Sequence, residues 1–471
     1  MVSSNQMVTA PENSGRNNTN ITSEPSPPLT PQQINTYLRD GILVVDNLLS
    51  CEEIANAQCG LVQTLKEEYG VDVHDLEGTG HKLVEASSTN GAGGVLDIFY
   101  PEWKMKIATN ETLFRMTRQL WKEAYCHNGE NIEELLESTT LMDNGFTTGL
   151  ENCAANDEDA DAGKEIDSNS DATFKWHPFG AFDCNKGYMY IDRIGYRIPT
   201  KLAVSIGKQL NNNMPQSIQQ QKSSNAKNQK LVQKKKKSKP RPIQRSLTPH
   251  FDCCPEKYHD TNNKNKWRPI QCFVSLTDNL QPNTGGFEGV PGFHREFRSW
   301  VENGRQFSSS PGDDGDDLSP QQPHPQQCVG EYTHLSPSFD RDIMQRMQHI
   351  PVRAGSVVFW DNRIPHGNSY RNDPPVNGIS NDDYGGTTFT DVLGTSGSRA
   401  VVYCSFLPDV QVNRSFVQRQ LDDWKIQRAP RVGDRWIRQE DNSDAADPDG
   451  TIREEQVNLS ELGKRLIGLV E

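Results

Sequence analysis

The chain has 471 residues, 34% of them hydrophobic, a formal net charge of -14 and a mean hydropathy of -0.75. That length accommodates one large domain with insertions or two to three ordinary ones. The acidic balance argues against nucleic acid as the main ligand, because backbone phosphates call for a surplus of Lys and Arg. No stretch approaches a membrane-spanning run and the first residues lack the apolar region of a secretory signal, so an intracellular, cytoplasmic protein is expected. The ten cysteines form no CxxC pair or regular framework and read as reduced thiols.

Residues 1–27, rich in Asn, Ser, Thr and Pro, read as a disordered tail, since they bury too little apolar surface to offset ordering entropy. Thr30, Pro31 and Gln33 form a helix-start signature, Ile34, Tyr37 and Leu38 share one face, and Gly41 stops the helix. Ile42–Val45 reads as an apolar strand. Ser50 with Glu53 opens a second capped helix, on which Ile54, Leu61, Val62, Leu65 and Tyr69 align, and a third is expected from Asn110 to Tyr125.

Downstream, polar segments read as loop insertions at about 151–171, 208–240, 303–326 and 373–397. The basic run Lys234–Lys239 is compatible with a nuclear location, although such runs are usually solvated charge, and partner binding by the insertions is left open. Short β-branched or aromatic segments at Lys201–Ile206, Ile270–Leu276, Val352–Phe359 and Ala400–Phe406 read as strands. Their spacing favours an antiparallel barrel or jelly roll, and no dinucleotide or phosphate-loop motif is present.

The chemistry concentrates in LTPHFDCCP. His250 and Asp252 stand two residues apart, so on an extended chain both point to the same side and can reach one ion. His366 follows an apolar strand ending in Trp360 and Asp361. Two imidazoles and a carboxylate leave three positions open on an octahedral ion, the donor set of non-haem Fe(II) oxygenases. An HxD pair alone is weak, because such pairs occur by chance.

Four ordered blocks add specificity. YLRDGILVVDNLLSCEEI (Tyr37–Ile54), the His250/Asp252 segment, WRPIQCFVSLTDNLQPNTGGFEGVPGFHREF (Trp267–Phe297) and VRAGSVVFWDNRIPHGNSYRN (Val352–Asn372) together resemble the phytanoyl-CoA dioxygenase-like family of Fe(II)- and 2-oxoglutarate-dependent oxygenases. The resemblance spans roughly residues 30 to 410 without the insertions. It implies a mainly β fold with flanking helices, a double-stranded β-helix (jelly roll, cupin-like) core, within one domain over residues 28–430, followed by a C-terminal extension at 431–471.

The resemblance further implies Fe(2+) held by His250, Asp252 and His366, with 2-oxoglutarate and O2 as cosubstrates. The expected reaction is hydroxylation of a small-molecule or acyl-CoA-like substrate with release of succinate and CO2. Halogenating relatives lack the carboxylate, so Asp252 favours hydroxylation. An arginine downstream of the distal histidine is expected to fork onto the far carboxylate of 2-oxoglutarate. Arg399, at the start of a strand, is preferred to Arg371, five residues after His366. Gln271 alternates with Phe273 and Ser275 on one strand face; it either lines the barrel, as a cosubstrate-binding residue that hydrogen-bonds 2-oxoglutarate, or sits on the barrel's outer face.

Trp176, His177, Tyr190, Asp192 and Arg193 are further pocket candidates, whereas His259 and His294 are read as non-ligands. Two other readings remain open: a non-catalytic cupin-like binding or regulatory protein, and an interaction protein dominated by its insertions.

Overall fold

The computed structural model describes residues 28–125, 179, 182–213, 241–258, 266–303, 328–329, 332–374, 392–394, 397–426 and 459–470. The expected tail at 1–27, the 151–171 insertion, the basic run Lys234–Lys239, Trp176, His177 and His259 lie outside them.

Local signals set the first elements. Helix α1 (Pro31–Asp40) opens on a complete Thr30/Gln33 capping box and closes on Gly41 at φ 63, and helix α2 (Cys51–Tyr69) opens on the Ser50/Glu53 box. Asn110 caps the third expected helix, Glu111–Ala124.

The described strands, in chain order, are β1 (Ile42–Val45), β2 (Val95–Leu96), β3 (Gly187–Tyr190), β4 (Ile194–Arg197), β5 (His250–Phe251), β6 (Ile270–Ser275), β7 (Phe287–Gly289), β8 (Cys328–Val329), β9 (Tyr332–His334), β10 (Gln348–His349), β11 (Val357–Asp361), β12 (His366–Asn368) and β13 (Arg399–Pro408). They form two antiparallel sheets. One runs β1-β11-β6-β13-β4-β2, with β3 also paired to β13; the other runs β10-β7-β12-β5-β9-β8.

Strand alternation decides which side chains meet which core. Ile270, Cys272 and Val274 face the helices, in a cluster with Tyr37, Leu61, Leu65 and Trp121. The intervening Phe273 joins Val358, Trp360 and Val401 against Phe251 and Phe287 of the second sheet. Aromatic contacts hold the two sheets together, with Phe273–Phe287 centroids 5.7 Å apart and Phe287–Trp360 centroids 5.1 Å apart.

Two expected strands are corrected. Lys201–Ile206 lies within a helix, Thr200–Asn213, which also takes in the first residues of the expected 208–240 insertion. Leu202, Ala203, Ile206 and Leu210 pack on the main core with helical, not alternating, spacing. In Val352–Phe359 regular pairing starts only at Val357. Gly355 turns the chain at φ 79 against the Leu49 carbonyl, where a Cβ would come within 2.8 Å of that oxygen.

Residues near the end of the chain join the same core: the helix Glu461–Ile467 buries Leu466 and Ile467 among its apolar side chains. No helix among the described residues is long and apolar enough to cross a membrane.

Candidate metal centre

The two histidines are register partners: β12 pairs with β5 so that His366 stands directly opposite His250. Their rings lie 4.3 Å apart between centroids. Asp252 follows β5 and turns its carboxylate between them, with Oδ1 3.4 Å from Nε2 of His250 and Oδ2 3.7 Å from Nε2 of His366. One donor atom from each residue falls within 4.8 Å of the others, a spread that one ion can bridge.

Each imidazole is held in the tautomer that a metal needs. Nδ1 of His250 is 2.8 Å from the carbonyl of Thr248, and Nδ1 of His366 is 2.9 Å from the carbonyl of Ile364. A carbonyl only accepts, so each Nδ1–H donates and each Nε2 lone pair faces the shared space. Burial, with the neighbouring His250, pushes the His366 imidazole down to about 3, which keeps it neutral. Burial opposes ionisation of Asp252, but its close contacts with the two imidazoles and with Arg268 hold its carboxyl well below the usual range.

The triad opens into a cavity of about 330 Å³. Its floor carries Gln271 and Phe273 of β6 and Arg399 and Tyr403 of β13. Gln271 therefore faces inward, and its buried Nε2 has no hydrogen-bond partner among the described residues.

Arg399 and Arg371 have opposite environments. Arg399 is 2% exposed, lies 5.3 Å over the Phe273 ring, and its Nε and Nη1 meet no acceptor among the described residues. Arg197, its partner across β4 and β13, spends its guanidinium on the carbonyls of Ser369 and Tyr370 at 2.6 and 2.9 Å. Burial and the charge of Arg399 lower Arg197 to about 10. Arg371 instead points outward, 57% exposed, and pairs with Asp373 at 2.6 Å.

Tyr190, Asp192 and Arg193 line the cavity. His294 does not; it is buried on the helix Phe293–Glu302 and donates from Nε2 to the Leu38 carbonyl at 3.0 Å, tying that helix to α1.

Several lining residues escaped the sequence reading. Tyr332 stacks on His250 with centroids 4.4 Å apart, and His334 stands opposite His250 in the β5–β9 register. Arg268 reaches to 3.6 Å from Oδ2 of Asp252. The alternation in Tyr332–His334 was a usable signal for a strand, but it is three residues long.

No known family profile matches the sequence, and no curated protein matches it. Solved structures do resemble it in shape. The Candida albicans protein GlcNAc Inducible Gene 2 (DUF1479) superposes with a TM-score of 0.54 at 13% identity, covering 94% of this chain and 77% of that one. Two further neighbours are α-ketoglutarate-dependent or crystallised with 2-oxoglutarate. The non-haem carbocyclase SnoK of nogalamycin biosynthesis has a TM-score of 0.35 at 10% identity, covering 82% of this chain and 87% of its own. EctD from S. alaskensis, solved with 2-oxoglutarate and 5-hydroxyectoine, has a TM-score of 0.36 at 11% identity, covering 80% and 76%. The Candida likeness shows a shared fold and nothing more.

Proposed function

We propose that the chain is an Fe(II)- and 2-oxoglutarate-dependent oxygenase that hydroxylates an unactivated C–H bond of a small-molecule or acyl-type substrate, with release of succinate and CO2. One observation carries this reading: a metal-competent His250/Asp252/His366 set shares one cavity with a buried Arg399 whose Nε and Nη1 meet no acceptor among the described residues. A structural arginine buried at this depth would have found acceptors, as Arg197 has, because an unsatisfied buried cation is costly. The donor set fits Fe(II), which tolerates imidazole and carboxylate and leaves open positions in this arrangement. The four sequence blocks and the pair of packed antiparallel sheets support a double-stranded β-helix of the phytanoyl-CoA dioxygenase-like kind.

Bound Fe(II) would supply the O2-dependent redox chemistry, with 2-oxoglutarate as the co-reductant. The residues of the chain do the rest. His250 and His366 present Nε2 because their Nδ1–H groups are committed to backbone carbonyls. Asp252 contributes the anionic ligand. Arg399 would receive the far carboxylate of 2-oxoglutarate on its guanidinium, whose planar fork suits a carboxylate. Gln271 adds one donor on the same floor, and Phe273, Phe287 and Trp360 give the cavity apolar walls that keep water away.

Anaerobic titration with Fe(II) and 2-oxoglutarate tests the reading. It predicts a weak visible charge-transfer band that requires both components and is absent from His250→Ala. Absence of that band and of any calorimetric 2-oxoglutarate binding in the metal-loaded wild type would refute it.

A further inference from the structure

The Arg399 end of the cavity holds a second polar group that the proposed reaction leaves without a role. Arg399, Val401 and Tyr403 alternate along β13, so their side chains leave one face of the strand, the face turned to the cavity and to the aromatic cluster of the second sheet. The register sets Arg197 and Gly195 of β4 opposite Arg399 and Val401, and Phe273 of β6 opposite Tyr403.

Two neighbours fix the direction of the Tyr403 ring. On the β6 side it meets Phe273 edge to face, with centroids 6.3 Å apart. On the β4 side it lies against Gly195, where an added Cβ would stand 3.4 Å from both its Cε2 and its hydroxyl oxygen. Gly195 belongs to the row of Val401, two residues nearer to Arg399 than Tyr403 is. A ring whose tip reaches that row therefore runs back toward the Arg197–Arg399 row. The Arg399 guanidinium carbon is 5.3 Å from the centre of the same Phe273 ring, so phenol and guanidinium flank one aromatic side chain.

The hydrogen-bond balance at this end is incomplete. Arg197 is committed to the carbonyls of Ser369 and Tyr370. Among the described residues, the backbone N–H of Tyr403 donates to the Arg193 carbonyl at 3.3 Å, but its hydroxyl has no partner. A carboxylate offers about four lone-pair sites, of which a bidentate guanidinium takes two. The others need donors of their own when the group leaves water, and a phenol has an O–H to give.

We infer that the Tyr403 hydroxyl is a second donor to the far carboxylate of the cosubstrate and, with Arg399, makes the site select a dicarboxylic over a monocarboxylic 2-oxo acid. This rests on the proposed oxygenase reading and deepens it by naming a further cosubstrate-binding residue. Tyr403 touches the carboxylate directly, and Gly195 and Phe273 act only by directing its ring.

The test uses full-length protein loaded with Fe(II) under anaerobic conditions and two probes. One is 2-oxoglutarate; the other is 2-oxobutanoate, which keeps the 2-oxo acid head and lacks the far carboxylate. Binding of each is read by calorimetry and from the visible band. Tyr403→Phe should raise the Kd of 2-oxoglutarate at least about fivefold, because a hydrogen bond to a charged group is lost, and leave that of 2-oxobutanoate within about twofold. A smaller loss for 2-oxoglutarate, or an equal loss for both probes, overturns the inference and leaves the oxygenase reading intact. Should thermal melts show Tyr403→Phe unfolded, Tyr403→Gln, which keeps a donor, takes its place in a comparison with Tyr403→Leu; the glutamine variant should bind 2-oxoglutarate tighter, and equal affinities overturn the inference. Failure of the loaded wild type to take up 2-oxoglutarate at all overturns the oxygenase reading itself.

Discussion

Arg363 closes on Asp361 through three donors: its backbone N–H at 2.9 Å and Nε at 2.8 Å to Oδ1, and Nη2 at 2.6 Å to Oδ2. Both side chains are 1% exposed, and Tyr125 donates to the same carboxylate. The clamp pins the turn after β11, whose Ile364 carbonyl in turn fixes the ring of His366. Removing one partner leaves an uncompensated buried charge. Arg363→Ala should therefore lose about 3–5 kcal/mol of stability in urea unfolding. Arg363→Met with Asp361→Leu should recover much of that loss, because the second variant removes both charges.

Asp252 supplies the only carboxylate of the candidate metal set. Asp252→Ala should weaken Fe(II) binding by more than the roughly 10–100-fold that loss of an outer hydrogen bond costs a metal site. Competition against a metallochromic chelator measures this directly. Affinity within threefold of the wild type would remove Asp252 from the set.

Arg399 and Arg371 make the sharpest comparison. A charge-assisted hydrogen bond contributes about 1.5–3 kcal/mol, so Arg399→Ala should raise the Kd for 2-oxoglutarate by roughly one to two orders of magnitude. Arg371→Ala, which breaks only a solvent-exposed pair with Asp373, should leave it within about twofold. Calorimetry on metal-loaded protein distinguishes them, and the reverse pattern would exchange the two assignments.

His294 makes stability depend on pH. Burial, countered in part by Asp361, pushes its imidazole down to about 4. Between the ordinary value near about 6.5 and that lowered one, the unfolded chain binds a proton that the folded chain refuses. Its contribution is thus complete above about pH 6.5 and is lost as the pH falls toward about 4, by at most about 3 kcal/mol. Urea unfolding of chelator-treated protein should show this slope, and His294→Gln should flatten it. His366, lowered to about 3, adds a second decline that the variant retains.

What was legible in the sequence was local. The Thr30/Gln33 and Ser50/Glu53 boxes, the Gly41 stop and the Asn110 cap act through neighbours three or four residues away, so they could be read without any partner. The two-residue spacing of His250 and Asp252 is local in the same sense, and His366 joined them through its strand context and the ordered blocks. Lys201–Ile206 failed because a short apolar run fits a strand or a helix equally well until its burying surface is known.

Tertiary structure alone decided the rest. That Gln271 faces the cavity depends on which side of β6 meets the helices. That Arg197 reaches carbonyl acceptors while Nε and Nη1 of Arg399 meet none among the described residues depends on which groups the fold brings near each guanidinium, a matter of non-local register. The charged cluster in which Arg268, Lys266 and Asp192 meet around Tyr190 joins segments far apart in the chain. Charge and hydrogen-bond balance in a buried site belong to the assembled fold, because they are set by every group within a few ångströms, whatever its place in the sequence.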